Sequence, residues 1–501
     1  MVKGMEFNSI EFMVFFPVVL ALYFVIPKAA RQVWLLVASY YFYMSWSAKY
    51  AVLIAASTLL TYLSGILIDR CRNGGQRVRA LTVLFSCLGV NLGILLLFKY
   101  GNFFLGSLDK GLRLLHIGFV DHRFSFLLPV GISFYTFQAL GYTIDVYRGD
   151  VKAETNLIRY ALFVSLFPQL VAGPIERSKN LLSQMQNIRN IRLWNAERVS
   201  SGAVLMIWGF FMKMVIADRA AILVNTVFDN YHMYGSAELI LAAVLFAVQI
   251  YCDFGSYSLI AIGAAKMMGF ELMENFNTPY FACSIRDFWS RWHISLSTWF
   301  RDYLYIPLGG NRKGPVRKAA NIMIVFLTSG LWHGANWSYV VWGGIHGAYQ
   351  VIGDFLSPYK EKCLHRLRVN TACFSWKLLQ AGVTFLLVVF AWIFFRANSL
   401  RDAFCYIRRI WIRPTPWKFF NGDLYTLGLE RPEMNVLAAA IVMLCLVDLI
   451  RYRKKLTLDA YLRTQNLWFR WGVSFGLILL IFVYGKYGAG YDPQQFIYFQ
   501  F

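Results

Sequence analysis

Apolar runs of near-bilayer length recur along the whole chain, at residues 12–27, 33–48, 49–68, 80–98, 126–147, 199–217, 238–252, 319–337, 338–356, 378–395, 435–450 and 470–487. A helix needs about 20 such residues to cross the ~30 Å hydrocarbon core of a bilayer. The pattern predicts an all-α, polytopic membrane protein of about eleven to twelve transmembrane helices, the shorter runs crossing only with shifted bounds or tilt. Residues 157–173 and 255–270 read instead as half-spans broken by Gly and Pro, a form tolerated only inside protein or beside a cavity. The run Phe12–Ile26 follows a single Lys3, contains Pro17 and leads directly into further spans. It reads as a first transmembrane helix and not as a cleaved signal peptide.

Charge orients the spans. With 58% apolar and 15% charged residues, the chain still carries a formal net charge of +22. A nucleic-acid partner is excluded because the basic residues sit in short loops between apolar runs, the positive-inside pattern. Loops 70–79, 177–198, 312–318, 360–368 and 451–455 are basic, and twelve crossings with both termini outside place all five in the cytoplasm. The basic stretch 396–418 lands outside, against that trend. Without an internal repeat, linker or low-complexity tract, residues 1–377 read as a membrane core and 378–501 as a C-terminal transmembrane extension of the same domain. The eight cysteines show neither CxxC pairs nor zinc spacing, and no metal site is implied.

Chemistry gathers between Ser284 and Gly347, which holds three of the seven histidines: His293, His333 and His346. If Arg286 to Tyr303 is helical, Arg286, Ser290, His293, Ser297 and Arg301 share one stripe, and Phe288, Trp289, Trp292, Leu296, Trp299, Phe300 and Tyr303 cover another face. Such a helix either lies in the membrane interface or packs inside the bundle with its polar seam toward a wet cavity. His333 lies fourteen residues into the run that starts at Ala319, about 20 Å along a helix and past the bilayer midplane. An ionisable group at that depth is a functional candidate by default. The bland alternative, a satisfied core histidine, weighs most for His346 among its glycines.

Longer words carry a resemblance. LLLFKYGNFF at 95–104, LPVGISFYTFQALGYTIDVYRG at 128–149, FPQLVAGPIER at 167–177, NFNTPYFACSIRDFWSRWHISLSTWFRDYLYIPLGGNRKG at 275–314, LWHGANWSYVVWGGIHG at 331–347 and the terminal FIYFQF appear in order. The chain resembles the membrane-bound O-acyltransferases, and within them the bacterial alginate O-acetyltransferase branch. One departure is DFGSYSLIAIG at 253–263, where relatives carry DFSGYSDIAIG, so Leu259 replaces an acidic residue and no role is carried over to that position.

The resemblance implies a central funnel with His333 of LWHG as the acyl-transfer histidine and His293 as the second polar position. It also implies an inner-membrane enzyme of a bacterium. A cytoplasmic donor, acetyl-CoA or an acyl-carrier thioester, would act as co-substrate, with no permanently bound cofactor. An exported polysaccharide such as alginate would be O-acetylated with a periplasmic acetyltransferase partner. An imidazole withdrawn from water stays neutral and can take the proton of an acceptor hydroxyl, while His293 or nearby N–H groups orient the substrate or hold the oxyanion. D-alanyl transfer to teichoic acids is the alternative within the family. A non-enzymatic glycan or lipid transporter is the alternative outside it, and the chain lacks the inverted repeat such a protein often shows.

Overall fold

Every regular element among the described residues is helical. The computed structural model describes residues 4–116, 129–487 and 497. The start of the run at 126–147, residue 128 of the resemblance word, and FIYFQF apart from Ile497 lie outside them. Among the described residues, seven helices are long and apolar enough to cross a membrane: Ala48–Asn73, Arg77–Leu114, Ala196–Asp229, Ser236–Met268, Phe374–Arg396, Arg431–Lys454 and Leu467–Tyr484. The runs at 12–27 and 33–48 form the shorter helices Ile10–Val25 and Arg31–Met44. The chain is thus an all-α, multi-pass membrane protein.

The residues form two compact units. In Met1–Met206 with Ile260–Met273, α1 (Ala48–Asn73), α2 (Arg77–Leu95) and α3 (Ile132–Arg148) pack on one another. One buried polar pair joins two of them, as burial away from water favours. Ser57 donates to Asn91 Oδ1 at 2.6 Å, and Asn91 donates to the Cys87 carbonyl at 3.0 Å. The expected break within 157–173 falls at Leu166, between Leu157–Ser165 and Phe167–Leu170, with Pro168 in the first turn of the second helix. The loop that follows is tied down by Glu176, which accepts from the Met273 N–H and from Asn180 Nδ2. Burial pushes the Glu176 carboxyl up to about 7 against the lowering effect of these hydrogen bonds.

The second unit is Ile207–Leu259 with Glu274–Phe501. The half-span expected at 255–270 is absent: α4 (Ser236–Met268) runs unbroken through Gly255 and Ser256. A glycine inside a helix costs only about 1 kcal/mol, and burial of this helix outweighs it. From α4, Asp253 accepts from Lys213 Nζ at 2.6 Å, and Asp218 lies 2.9 Å from the same ammonium. The Ile497 N–H donates to the other oxygen of Asp253 at 2.9 Å. Pairing of this kind is what makes a buried ammonium tolerable.

Candidate functional site

The stripe from Arg286 to Tyr303 does not form one helix. α5 (Ile285–Arg291) stops and α6 (Ile294–Phe300) restarts, with His293 between them in the left-handed region at φ 44°. That conformation costs a residue with a side chain about 1–3 kcal/mol, and the segment 275–277 offsets it. The Asn277 N–H donates to the Arg291 carbonyl at 2.9 Å, and the Ile294 N–H donates to the Asn275 carbonyl at 3.0 Å. These bonds replace helix bonds that the break removes. The break lies inside the protein, since Phe288, Trp292 and Leu296 are each 1% exposed. The interfacial alternative is therefore set aside.

The same segment fixes the His293 tautomer. Asn275 Oδ1 accepts from the Ser295 N–H at 3.3 Å, so that end of the amide is the oxygen. It lies 3.0 Å from His293 Nδ1, which must then carry the proton and leave the lone pair on Nε2. His333 reaches the same state by another route. It is the last residue of α7 (Gly314–His333), and its Nδ1 lies 2.7 Å from the Ser329 carbonyl one turn earlier. A carbonyl only accepts, so Nδ1–H donates and Nε2 is the basic nitrogen. The His293 and His333 ring centroids are 6.3 Å apart and nearly perpendicular. Phe254 packs on His293, and Trp342 and Phe395 pack on His333.

α7 returns as α8 (Trp337–Arg366) through a turn at Gly334–Asn336, and the two helices pack closely. The approach requires glycine at two positions. A Cβ on Gly330 would run into the Tyr339 carbonyl, and one on Gly343 into the Phe326 carbonyl. α8 also carries His346, which is fully buried and separated from His333 by the Trp342 ring, at 5.2 and 4.9 Å respectively.

A cavity of about 540 Å³ opens beside these residues. Four of the five stripe residues line it (Arg286, Ser290, Ser297 and Arg301), as do Trp289, Phe326 and Ser329. Its charged part includes Lys318, the one basic residue of the loop 312–318 on its wall. Lys318 pairs with Asp354 at 2.6 Å, and Arg286 pairs with the same carboxylate. The cavity therefore joins a cationic region to an aromatic one. Ser329, which lines it, is the residue whose carbonyl holds His333.

The family model of the membrane-bound O-acyltransferases matches residues 151–395. A probable alginate O-acetylase of Pseudomonas putida is 39% identical over 89% of this chain and 86% of its own length. The chain belongs to the membrane-bound O-acyltransferase family. A peptidoglycan O-acetyltransferase of Helicobacter pylori is 32% identical over 78% of this chain and 76% of its own. A teichoic acid D-alanyltransferase of Bacillus subtilis is 28% identical over 46% and 60%. This membrane O-acyltransferase thus brings two sequence-predicted histidines, His293 and His333, into one buried cluster, with His346 one indole away. Sequence reasoning missed Asn275 and Ser329, and it read Trp289 only as part of an apolar face. A signal existed for Asn275, an amide among aromatic residues at the head of NFNTPYF. Ser329 acts through its backbone and leaves no trace in the sequence.

Proposed function

We propose that this acyltransferase resides in a bacterial inner membrane and moves an acetyl group from a cytoplasmic thioester to a hydroxyl destined for an exported polysaccharide of the alginate type. The donor is acetyl-CoA or an acyl-carrier thioester held in the cavity between α5–α6 and α7, and a periplasmic acetyltransferase completes the transfer. The observation that carries this reading is the 2.7 Å bond from His333 Nδ1 to the Ser329 carbonyl. It leaves Nε2 as the basic nitrogen of a buried histidine held by Ser329, and Ser329 stands on the wall of a cavity with a charged part and an apolar part, though His333 itself is not on that wall. In the reaction His333 Nε2 takes the acceptor proton as the hydroxyl oxygen attacks the thioester carbonyl. The C–O bond forms, the C–S bond breaks, and the departing thiolate recovers the proton. His293, held by Asn275, orients the substrate. The acetyl branch is favoured over D-alanyl transfer because similarity to the teichoic acid enzyme covers less than half of this chain.

The test is acetyl-ester content of secreted polymer per amount of folded protein in detergent. His333→Ala and His333→Gln should each lower it by about 10²–10⁴-fold, the usual worth of a general base. His293→Ala should keep residual activity. Near-normal ester content from His333→Ala protein overturns the reading.

A further inference from the structure

His346 is the buried imidazole that the reaction above does not use, and its hydrogen bonding is opposite in sense to the other two. Trp289 Nε1 lies 3.2 Å from His346 Nδ1. An indole N–H can only donate, so Nδ1 accepts and the neutral ring carries its proton on Nε2. That Nε2 is buried and has no hydrogen-bond partner among the described residues. While it holds Trp289, His346 has no lone pair to offer a substrate. An apolar side chain here would avoid burying an unpaired N–H, so packing alone does not account for the histidine. What the ring gains is its bond to one indole.

That indole is well placed to matter. Trp289 lines the cavity together with Phe326 and Ser329, and its ring centroid lies 5.2 Å from Phe326 and 5.8 Å from Trp342. Trp342 in turn packs on His333 at 4.9 Å. Trp289 and Phe326 thus share the cavity wall with Ser329, whose carbonyl holds His333. Rotation of the indole would reshape that wall, and the bond to His346 opposes it. Phe288, stacked on His346 at an interplanar angle of 8°, and Trp342, edge-on at 5.2 Å, hold the imidazole itself in place.

We propose that the Trp289–His346 pair sets the length of acyl group this enzyme accepts, with Trp289 as the limiting wall and His346 as the residue that positions it. The inference rests on the donor-cavity reading above. It makes the enzyme a short-chain acyltransferase by construction and identifies the element that excludes longer thioesters.

The experiment compares acetyl-, butyryl- and octanoyl-CoA as donors for the purified full-length protein in detergent, reading thiol release and kcat/KM for each. Trp289→Ala should lower the acetyl-over-butyryl preference about tenfold or more, the scale on which apolar pockets discriminate added methylenes. Trp289→Phe, which keeps a ring but removes the N–H, should lower it less. His346→Leu fills similar volume without an acceptor and should shift the preference in the same direction while thermal stability is kept. His346→Asn restores an acceptor near the Nδ1 position and should recover the wild-type ratio. A ratio unchanged in Trp289→Phe and His346→Leu, with turnover still measurable, overturns the proposal. So does a loss in His346→Leu that His346→Asn fails to recover. Failure of the donor reading looks different: the wild-type protein would release thiol from none of the three acyl groups, whether offered on CoA or on the phosphopantetheine of a carrier protein, and both conclusions would then fall.

Discussion

His293 Nδ1 stands 3.0 Å from Asn275 Oδ1, and the backbone of Asn275 receives the Ile294 N–H at the same distance. One residue thus fixes both the side chain of the histidine and the helix break that carries it. Removing the side-chain amide should take away the acceptor that His293 and Ser295 share, while the backbone carbonyl still receives the Ile294 N–H. Asn275→Ala is expected to lower acyl transfer by about tenfold to a hundredfold, the scale of an ångström-level misplacement. It should also destabilise the protein by about 1–3 kcal/mol through the buried donors left unpaired. Ester formation and thermal unfolding in detergent measure the two effects, and activity within twofold of wild type would show that His293 is held by other means.

The crossing of α7 and α8 positions His333 and should be intolerant of side chains where the backbones meet. Gly343→Leu would drive its side chain toward the Phe326 carbonyl, and overpacking of this kind costs about 1–3 kcal/mol or more. We expect a lower yield of monodisperse protein and a lower Tm. Gly344→Ala is the contrast, because a Cβ there meets only Leu327 Cδ2 at 3.4 Å. Equal behaviour of the two variants in gel filtration and thermal unfolding would remove the close approach from the account.

How far the sequence discloses this site depends on how local the deciding contacts are. The helical class was legible because hydrophobic runs of bilayer length have few alternatives, and so was the burial of His333, fourteen residues into such a run. The break at His293 was not, since the apolar residues keep helical spacing straight through it. What breaks the helix is the segment 275–277, which pairs with Arg291 and Ile294 from outside the window that periodicity samples. The opposite error occurred at Gly255, where a local breaker was outvoted by packing along α4. The polar stripe was sound in part: Arg286, Ser290, Ser297 and Arg301 do share a cavity wall, and only His293, displaced by the break, does not. The Asp253–Lys213 pairing was hidden because the two partners stand forty residues apart, on different helices.

A pH effect on stability should trace to Glu176. Burial raises its carboxyl from an ordinary 4.5 to about 7, so over that window the folded state retains a proton that the unfolded chain has lost. The protonated carboxyl's contribution is fully present below about 4.5 and disappears as pH rises through 7. The cost at higher pH is up to roughly 3 kcal/mol at about 1.4 kcal/mol per unit. Thermal unfolding of the detergent-solubilised protein should therefore move to lower temperature between pH 5 and about pH 8, and Glu176→Gln should flatten that dependence. An unchanged slope in the variant would assign the effect to another group.

The cationic region of the cavity yields the last prediction. Arg286 and Lys318 share the single carboxylate of Asp354, so together the three groups keep one net positive charge on the wall. A donor bearing phosphates would be drawn there by an attraction that salt weakens. Arg286→Gln and Lys318→Gln, made singly, each leave Asp354 one partner and so preserve the wall. Each should raise the donor KM severalfold, up to about tenfold, with kcat little changed, the signature of binding lost equally from ground and transition states. The rise should shrink at high ionic strength. Arg312→Gln with Lys313→Gln is the comparison, since neither residue lines the cavity and the positive-inside reading of the sequence gives their charge a topological role instead. If that pair raises the donor KM while Arg286→Gln and Lys318→Gln leave it unchanged, the donor does not enter through this cavity and its approach lies along the loop instead.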